Sequence, residues 1–339
     1  MIRSRLGLAA LAGTAALFVG ISAVAAGGTP ALRVGLVLEQ PLVGRGDDPY
    51  QHGAYLGLLR AKRELHVQAK AVAPSPTAAN QYVAPLSYLA RQKYDLVIVL
   101  GFLELKGLAV VAPRFPSMKF AFVDARREDI KPPPPNVEGT IFRTEQPAYL
   151  AGYLAARMAD RGPRPHVISS VGGYPIPPVQ AFIAGFQAGA KRADPRITLL
   201  NAYTYDFLNP AKCEHAALDQ IARGSRVVFD VAGACGIGAL QVAKRKGAWG
   251  IGVDIDQSYL GKFILTSVVK DLDVAVFRFA KLLVDGKLRT GGNLTFDLRN
   301  HGVKLGNFSP QVPRSLRLEL VRLQAQIVRG RIAVPTTLK

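Results

Sequence analysis

The chain has little cysteine: Cys213 and Cys235 are the only two among its 339 residues. Two cysteines cannot supply the four ligands of a structural zinc site, and no metal or cofactor is expected. Each cysteine is predicted near the start of a helix, in neighbouring strand–helix units that could bring the two within bonding reach. An oxidising compartment would favour a disulfide between them, and the alternative is a pair of buried free thiols.

Long apolar runs are missing after the N-terminus, and no later segment is long enough to cross a bilayer. Residues 1–26 are predicted to be a signal peptide. Arg3 and Arg5 form a positive first region, residues 6–21 are apolar, and small residues at 23–25 suit a cleavage site. A retained membrane anchor is the alternative. We expect export to the periplasm or the outer face of the cell membrane, without a lipid anchor on a cysteine because none lies near the cleavage site.

Acidic residues are few relative to basic ones: 24 Asp and Glu stand against 43 Lys and Arg, a formal net charge of +19. Nucleic-acid binding is one interpretation of such a charge. The basic residues are scattered, however, and no recognised nucleic-acid-binding motif accompanies them. We therefore expect no nucleic-acid partner and interpret the charge as a solvated surface that faces an anionic envelope.

Strand and helix patterns alternate along the rest of the chain. Its length exceeds one ordinary core, so two domains are expected. Apolar runs such as residues 95–101 indicate parallel strands buried on both faces. Two consecutive series of this kind predict an α/β fold of two doubly wound lobes facing each other across a cleft. Lobe 1 is expected to comprise residues 27–143 and 267–290, and lobe 2 residues 144–266 and 291–339.

One stretch, residues 226–257, predicts a strand, a Gly-rich turn, a helix over 236–247 and a second strand. Asp254 follows the second strand, at the edge where open α/β sheets bind ligands. A carboxylate accepts hydrogen bonds from two hydroxyls, so vicinal sugar hydroxyls suit it; the alternative is a residue that caps the next element. Asp124 follows another strand and has the same two interpretations. The glycine spacing is not G-x-G-x-x-G, which argues against a dinucleotide site.

Stretches along nearly the whole mature chain resemble the basic membrane protein family, substrate-binding proteins whose characterised members bind purine nucleosides for ABC transporters. The matching stretches, between about residues 33 and 335, are GRGDDPYQHGAYLGL (44–58), YDLVIVLGF (94–102), FPSMKFAFVD (115–124), FRTEQPAYLAGYLAA (142–156), IPPVQAFIAGFQAGAK (176–191), FLNPAK (207–212), AGACGIGALQVAKRKGAWGIGVDIDQ (232–257) and LTSVVKDLDVAVF (265–277). The family implies a type I periplasmic-binding-protein fold, whose two lobes are joined by hinge crossovers and close on a ligand. It also implies a non-catalytic protein with a nucleoside-like ligand and ABC permease subunits as partners. We expect a monomer, since both lobes must face the permease.

The resemblance also implies a set of ligand-binding residues. Asp254 matches the carboxylate that binds the ribose hydroxyls, and Asp124 matches a second polar ligand group. Lys270 matches a basic residue that reaches the ligand from the returning segment. Phe207 matches an aromatic ring that stacks on the base. Gly233 matches a position where the backbone approaches the ligand closely.

The first-lobe loop departs from the family, which usually has Asp-x-Ser-Phe-Asn where residues 47–51 read DDPYQ. Asp47 is kept. Tyr50 keeps an aromatic face and adds a hydroxyl, while Gln51 keeps the amide one methylene further out. Pro49, which stands where the family usually has Ser, removes a hydroxyl and a backbone donor. A purine between Tyr50 and Phe207 is the expected ligand arrangement, and the altered loop leaves the identity of the ligand open.

The sequence argues against two classes of enzyme and leaves two non-catalytic alternatives to nucleoside transport. A nucleoside hydrolase would need carboxylates clustered on a metal, whereas Asp254 and Asp256 are predicted in a different lobe from Asp47 and Asp48. Ser-His-Asp catalysis lacks its G-x-S-x-G motif. A signalling module that presents the closed lobes to a partner, and a binding protein for a different small polar solute, stay open as alternatives.

Overall fold

Helices and strands alternate through the chain, and the strands form two separate sheets. The computed structural model describes residues 31–42, 48–75, 81–160 and 166–338, so the predicted signal peptide and Asp47 lie outside the described residues. From Ala31 onward the chain forms one compact unit. None of the helices in these ranges has the length and apolar character needed to span a membrane.

The first sheet is built mostly from the first half of the chain. Its elements and those between them are β1 (Arg33–Val37), α1 (Pro49–Leu65), β2 (Gln68–Val72), α2 (Val83–Arg91), β3 (Leu96–Leu100), α3 (Gly101–Val111), β4 (Phe120–Val123) and β5 (Val137–Phe142). The strands pair in parallel in the order β2-β1-β3-β4-β5. Every residue of β3 and β4 is buried, as in a parallel sheet covered on both faces.

The second sheet repeats this arrangement. Its elements are α4 (Glu145–Ala159), β6 (Val167–Gly172), α5 (Pro177–Ala193), β7 (Thr198–Tyr203), α6 (Pro210–Ala222), β8 (Ser225–Val231), α7 (Gly233–Arg245), β9 (Trp249–Asp254) and β10 (Ile264–Lys270). The strands pair in parallel in the order β7-β6-β8-β9-β10. The predicted pair of doubly wound α/β lobes is therefore confirmed.

The C-terminal elements return to both sheets. They are α8 (Leu272–Val284), β11 (Asn293–Phe296), β12 (Val303–Leu305) and α9 (Arg314–Val328). β11 joins the first sheet beside β5, and β12 pairs antiparallel with β10 in the second. α8 packs on α1 and α9 on α4. The described chain thus passes between the sheets after β5, after β10 and after β11.

The expected lobe boundaries stay a prediction, and membership in the sheets differs from them at two places. β10 pairs within the second sheet through Lys270, whereas the return to lobe 1 is expected at residue 267. β11 lies in the first sheet, whereas residues from 291 are expected in lobe 2. The local pattern does not reveal either difference, because a strand's sheet depends on its pairing partners more than on its own residues.

The Gly-rich stretch of residues 233–238 is helical rather than a turn, because it forms the beginning of α7. The helix predicted from Gly236 begins at Gly233. A side chain on Gly236 would overlap the Asp230 carboxylate, and one on Gly238 would overlap the backbone of Pro210. These two glycines therefore permit close packing, which explains their presence in a helix despite their poor helix propensity.

Helix α2 is shorter than the sequence pattern predicts. A helix is expected over residues 77–92 with a proline near its middle, but α2 begins at Val83. Pro85 consequently lies in the first turn, where its missing N–H costs no intrahelical hydrogen bond.

The two cysteines form the predicted disulfide rather than free thiols. The Cys213–Cys235 bond joins the first turn of α6 to the first turn of α7, with the two Cα atoms 5.5 Å apart. The Thr204 hydroxyl lies 3.8 Å from the sulfur of Cys213 and 3.7 Å from that of Cys235. The bond therefore links the N-terminal ends of two neighbouring helices.

Candidate functional site

Charged side chains from both sheets meet at the carboxyl ends of their strands. Asp124 directly follows β4, Asp254 ends β9 and Lys270 ends β10. Nζ of Lys270 lies 2.6 Å from Oδ2 of Asp124 and 3.5 Å from Oδ1 of Asp254. Since Asp124 belongs to the first sheet and Lys270 to the second, this ion pair bridges the two sheets.

The two aspartates share an unusual backbone conformation. Asp124 and Asp254 both have φ of +65°, in the left-handed region that Asp tolerates better than most residues. Each residue stands where its strand ends, so this conformation turns the chain sharply at the ligand edge of the sheet. The local geometry agrees with a site at these positions.

A pocket lies at this edge, lined by residues of both sheets. Its empty space is about 570 Å³ when the opening to solvent is included. Its lining residues are Glu39, Asp48, Tyr50, Phe102, Asp124, Ile176, Pro178, Val179, Phe182, Phe207, Val231, Gly233, Ala234, Val253, Asp254 and Lys270. The pocket therefore combines acidic side chains with an apolar and aromatic wall.

Most of the predicted binding residues come together in this pocket. Those that line it are Tyr50, Asp124, Phe207, Gly233, Asp254 and Lys270. Gln51 does not line it; its side chain is buried, and its Oε1 accepts a hydrogen bond from the backbone of Gln40 at 3.4 Å. Asp47 lies outside the described residues. That these side chains bind a ligand stays a prediction.

Tyr50 lies beside the ion pair. Its ring centroid is 5.3 Å from Nζ of Lys270, a cation–π distance. Its buried hydroxyl approaches the carboxyl of Asp124 but has no hydrogen bond of good geometry to any described residue. Burial, with the nearby carboxyls of Asp124 and Glu39, raises the pKa of this hydroxyl well above its usual value. The hydroxyl therefore stays protonated and can act as a donor.

Lys270 remains charged although it is buried. Burial by itself lowers the pKa of its ammonium, but Asp124 and Asp254 outweigh burial and the net pKa is raised. Burial raises the pKa of both carboxyls, and Lys270 opposes that rise. Among the described lining residues Lys270 is the one basic side chain, so the polar end of the pocket is rich in hydrogen-bond acceptors.

Two buried acids of the first sheet, Glu39 and Asp48, were not predicted from sequence to line the pocket. Burial, followed by the charge of Asp48, raises the pKa of Glu39 well above its usual value. Burial also raises the pKa of Asp48 to about 6, although this side chain caps α1 by accepting from the backbone of Gln51. Glu39 follows the apolar strand RVGLV as Asp124 follows FAFV, so the same pattern could have identified it.

Backbone contacts with helix α7 hold Phe207 in the aromatic wall. The carbonyl oxygen of Phe207 accepts a hydrogen bond from the backbone N–H of Cys235 at 2.9 Å. Gly233 has φ of +57°, and a Cβ there would lie 3.5 Å from the same oxygen. Phe102 and Phe182 also line the wall and were missed by sequence reasoning. In the described ranges no group of three or more His, Cys, Asp or Glu residues is arranged to hold a metal ion.

Two doubly wound lobes with a pocket between their strand ends define a two-lobed solute-binding protein. The family model for the ABC transporter substrate-binding protein PnrA-like family matches residues 37–337. The chain belongs to this family, so the resemblance found in the sequence is confirmed.

Individual relatives and a solved structure agree with the family. An uncharacterized lipoprotein of Pyrococcus horikoshii is 34% identical over 273 residues, which cover 77% of this chain and 65% of that protein. The ABC transporter nucleoside-binding protein BmpA of Lactococcus lactis is 29% identical over 277 residues, 76% of each chain. The crystal structure of an ABC transporter solute-binding protein from Aeropyrum pernix K1 has a TM-score of 0.78 at 25% identity, covering 91% of this chain and 94% of that one. The described fold is thus the type I fold that the resemblance implies.

Proposed function

We propose that this protein is exported, captures a nucleoside in the pocket between its lobes, and delivers it unchanged to an ABC permease. A purine nucleoside is the leading candidate. The ion-paired cluster of Lys270, Asp124 and Asp254 next to an aromatic wall is the observation that carries the proposal. The name of the Lactococcus lactis relative supports the same class of ligand.

The charged cluster suits a ribose. Each hydroxyl of a sugar can donate one hydrogen bond and accept another. Asp254 and Asp124 supply acceptors, and the ammonium of Lys270 supplies donors between them. Since hydrogen bonds to charged groups contribute about 1.5–3 kcal/mol, a vicinal diol would gain affinity here over a compound without one.

The aromatic wall suits a flat base. Phe207 of the second lobe and Tyr50 of the first both line the pocket. The predicted arrangement, a base stacked between these two rings, requires this. Stacking a base on an aromatic ring contributes roughly 1–3 kcal/mol in nucleic-acid-binding proteins. The carboxyl of Glu39 faces the same pocket and can pair with an N–H of a purine edge.

The test is a binding panel measured by calorimetry, with residues 27–339 against guanosine, inosine, adenosine, free bases, ribose and amino acids. We expect purine nucleosides to bind, and bases or ribose alone to bind more weakly. Binding of another class of solute instead would keep the transport role and reassign the ligand, whereas a chain that binds none of the panel would contradict the proposal.

A matched pair of variants tests the site itself. Asp254→Asn removes the charge at the pocket and should weaken guanosine binding by about 10- to 100-fold, the loss of one or two charged hydrogen bonds. Asp256→Asn changes the neighbouring acid, which does not line the pocket, and should bind as the wild type does. Equal affinity of the two variants would remove Asp254 from the site.

A further inference from the structure

Aromatic rings cross from one sheet to the other at the pocket. The ring centroid of Phe102, in the first turn of α3, lies 5.6 Å from that of Tyr174, in the loop after β6. Tyr174 in turn lies 5.3 Å from the pocket residue Phe207. Phe102 follows a strand of the first sheet and Tyr174 a strand of the second, so their contact joins the two lobes.

No flexible loop separates Phe102 from the strand that precedes it. β3 ends at Leu100 and α3 begins at Gly101, so no loop separates them. Gly101 has φ of +49°, and a side chain there would overlap the hydroxyl of Tyr50. Gly101 therefore makes the tight turn that brings Phe102 to the pocket while Tyr50 packs against it.

The ring of Phe102 has no role in either hydrophobic core of its lobe. It is 41% exposed and belongs to neither core cluster, whereas its neighbours Leu103 and Leu105 pack on one. The ring of Phe102 lines the pocket and contacts the opposite lobe instead of packing in a core. Its contacts therefore depend on how close the two lobes are.

We propose that Phe102 and Tyr174 form an outer aromatic contact that holds the lobes closed over the ligand. The ion pair of Lys270 with Asp124 is the inner contact between the same lobes. The inference rests on the proposed function for its ligand, and the contact between the lobes is tested separately from ligand binding.

The contact should affect release more than capture. A bound molecule leaves after the lobes separate, and separation must break the Phe102–Tyr174 pair. An aromatic pair of this kind changes an equilibrium by about two- to tenfold beyond its buried area. Differences between related complexes usually appear in the dissociation rate.

The first experiment measures guanosine association and dissociation rates by stopped flow. We expect Phe102→Ala and Tyr174→Ala each to raise the dissociation rate about three- to tenfold and to change the association rate less than twofold. In the double variant the two effects on the dissociation rate should be less than additive in free energy, because both changes remove the shared Phe102–Tyr174 contact. Phe102→Tyr keeps the ring and should stay close to wild type.

Tyr88→Ala is the matched control. Tyr88 is 42% exposed on the same lobe and does not line the pocket, so its variant should release guanosine as the wild type does. Additive effects of the two alanine changes, or rates equal to those of the control, would overturn the proposal.

A second experiment needs no ligand. Small-angle X-ray scattering of the free protein should give a larger radius of gyration for Phe102→Ala than for wild type and Tyr88→Ala. Equal radii would overturn the closing contact even if nucleosides bind. If the wild type binds no nucleoside, the proposed function fails, and the scattering result alone decides whether the contact holds the lobes together.

Discussion

At the scale of single residues, Lys270 is the side chain on which the pocket's electrostatics depend. It is buried, it bridges the two sheets through Asp124, and it also lies 3.5 Å from Asp254. Burying an ion is costly unless a partner compensates, and here each charge compensates the other. Removing the cation would leave two carboxyls in a buried place that already raises the pKa of both.

We expect Lys270→Met to destabilise the protein by about 3 kcal/mol at pH 8, the lower end for breaking a buried ion pair. The loss should shrink at pH 5. Without Lys270, Asp124 and Asp254 have pKa values in the folded protein that lie further above those of the unfolded chain. The folded state then holds protons that the unfolded state releases, so the variant's stability falls as pH rises.

Urea denaturation of wild type and variant at the two pH values checks this. Lys281→Met is the control, because Lys281 makes an exposed helical ion pair with Asp285 that contributes little. A loss for Lys270→Met that does not change with pH would contradict the role given to the two aspartates.

Asp48 gives a second pH-dependent prediction, in which the substitution stabilises the protein instead of destabilising it. Burial raises its pKa from 3.8 to about 6, so its contribution to stability is present below pH 3.8 and is lost by about pH 6. At 1.36 kcal/mol per unit the loss has an upper limit of about 3 kcal/mol. Asp48→Asn keeps the helix cap and removes the titration. We expect the variant to match wild type near pH 4 and to be more stable at pH 7, measured by thermal unfolding.

The site residues that were predicted have a signal in the sequence, whereas those that were missed depend on contacts formed only in the folded protein. The local pattern placed Asp124 and Asp254 at strand ends but left open whether they bind a ligand or cap the next element. Lys270 was predicted only from the family resemblance, and all three lie at strand ends in the structure. Phe102 has no such signal, because its exposure and its contact with Tyr174 exist only after the two lobes come together. The position of Gln51, bound to a backbone group, also depends on the folded loop.

At the scale of elements, alternating patterns predicted nearly every helix and strand, and the differences have steric causes. The beginning of α7 was missed because glycines normally indicate a turn, whereas Gly236 and Gly238 are required by packing against Asp230 and Pro210. The sheet of β11 was missed because a four-residue strand carries no information on its partner.

The Cys213–Cys235 disulfide is an element-scale constraint with a measurable effect. It closes a loop with a sequence separation of 22, for which the chain-entropy model gives about 3 kcal/mol. We expect Cys213→Ser to lower the melting temperature under oxidising conditions, and reduced wild type to melt close to the variant. Identical melting of oxidised and reduced wild type would contradict this contribution; a Cys213→Ala, Cys235→Ala double variant serves as a control that cannot form the bond.

At the scale of the whole molecule, the three passages between the sheets let the lobes move without separating. The passages follow β5, β10 and β11, and the pocket residues lie at the strand ends that face each other. The structure pairs Lys270 of one sheet with Asp124 of the other. We expect this pairing to form on closure, and a ligand that contacts both lobes to favour the closed arrangement by its differential affinity.

Ligand binding should therefore stabilise and compact the molecule together. Guanosine at a hundredfold its dissociation constant adds about 2.7 kcal/mol, which should raise the melting temperature by roughly 4 °C. We expect the free protein to sample both open and closed arrangements, so scattering from the same samples should show a smaller radius of gyration with guanosine than without it. In Lys270→Met both changes should be reduced, because the variant loses a donor to the ligand and the inner contact between the lobes. A melting shift in wild type with no compaction would contradict lobe closure as the response to the ligand.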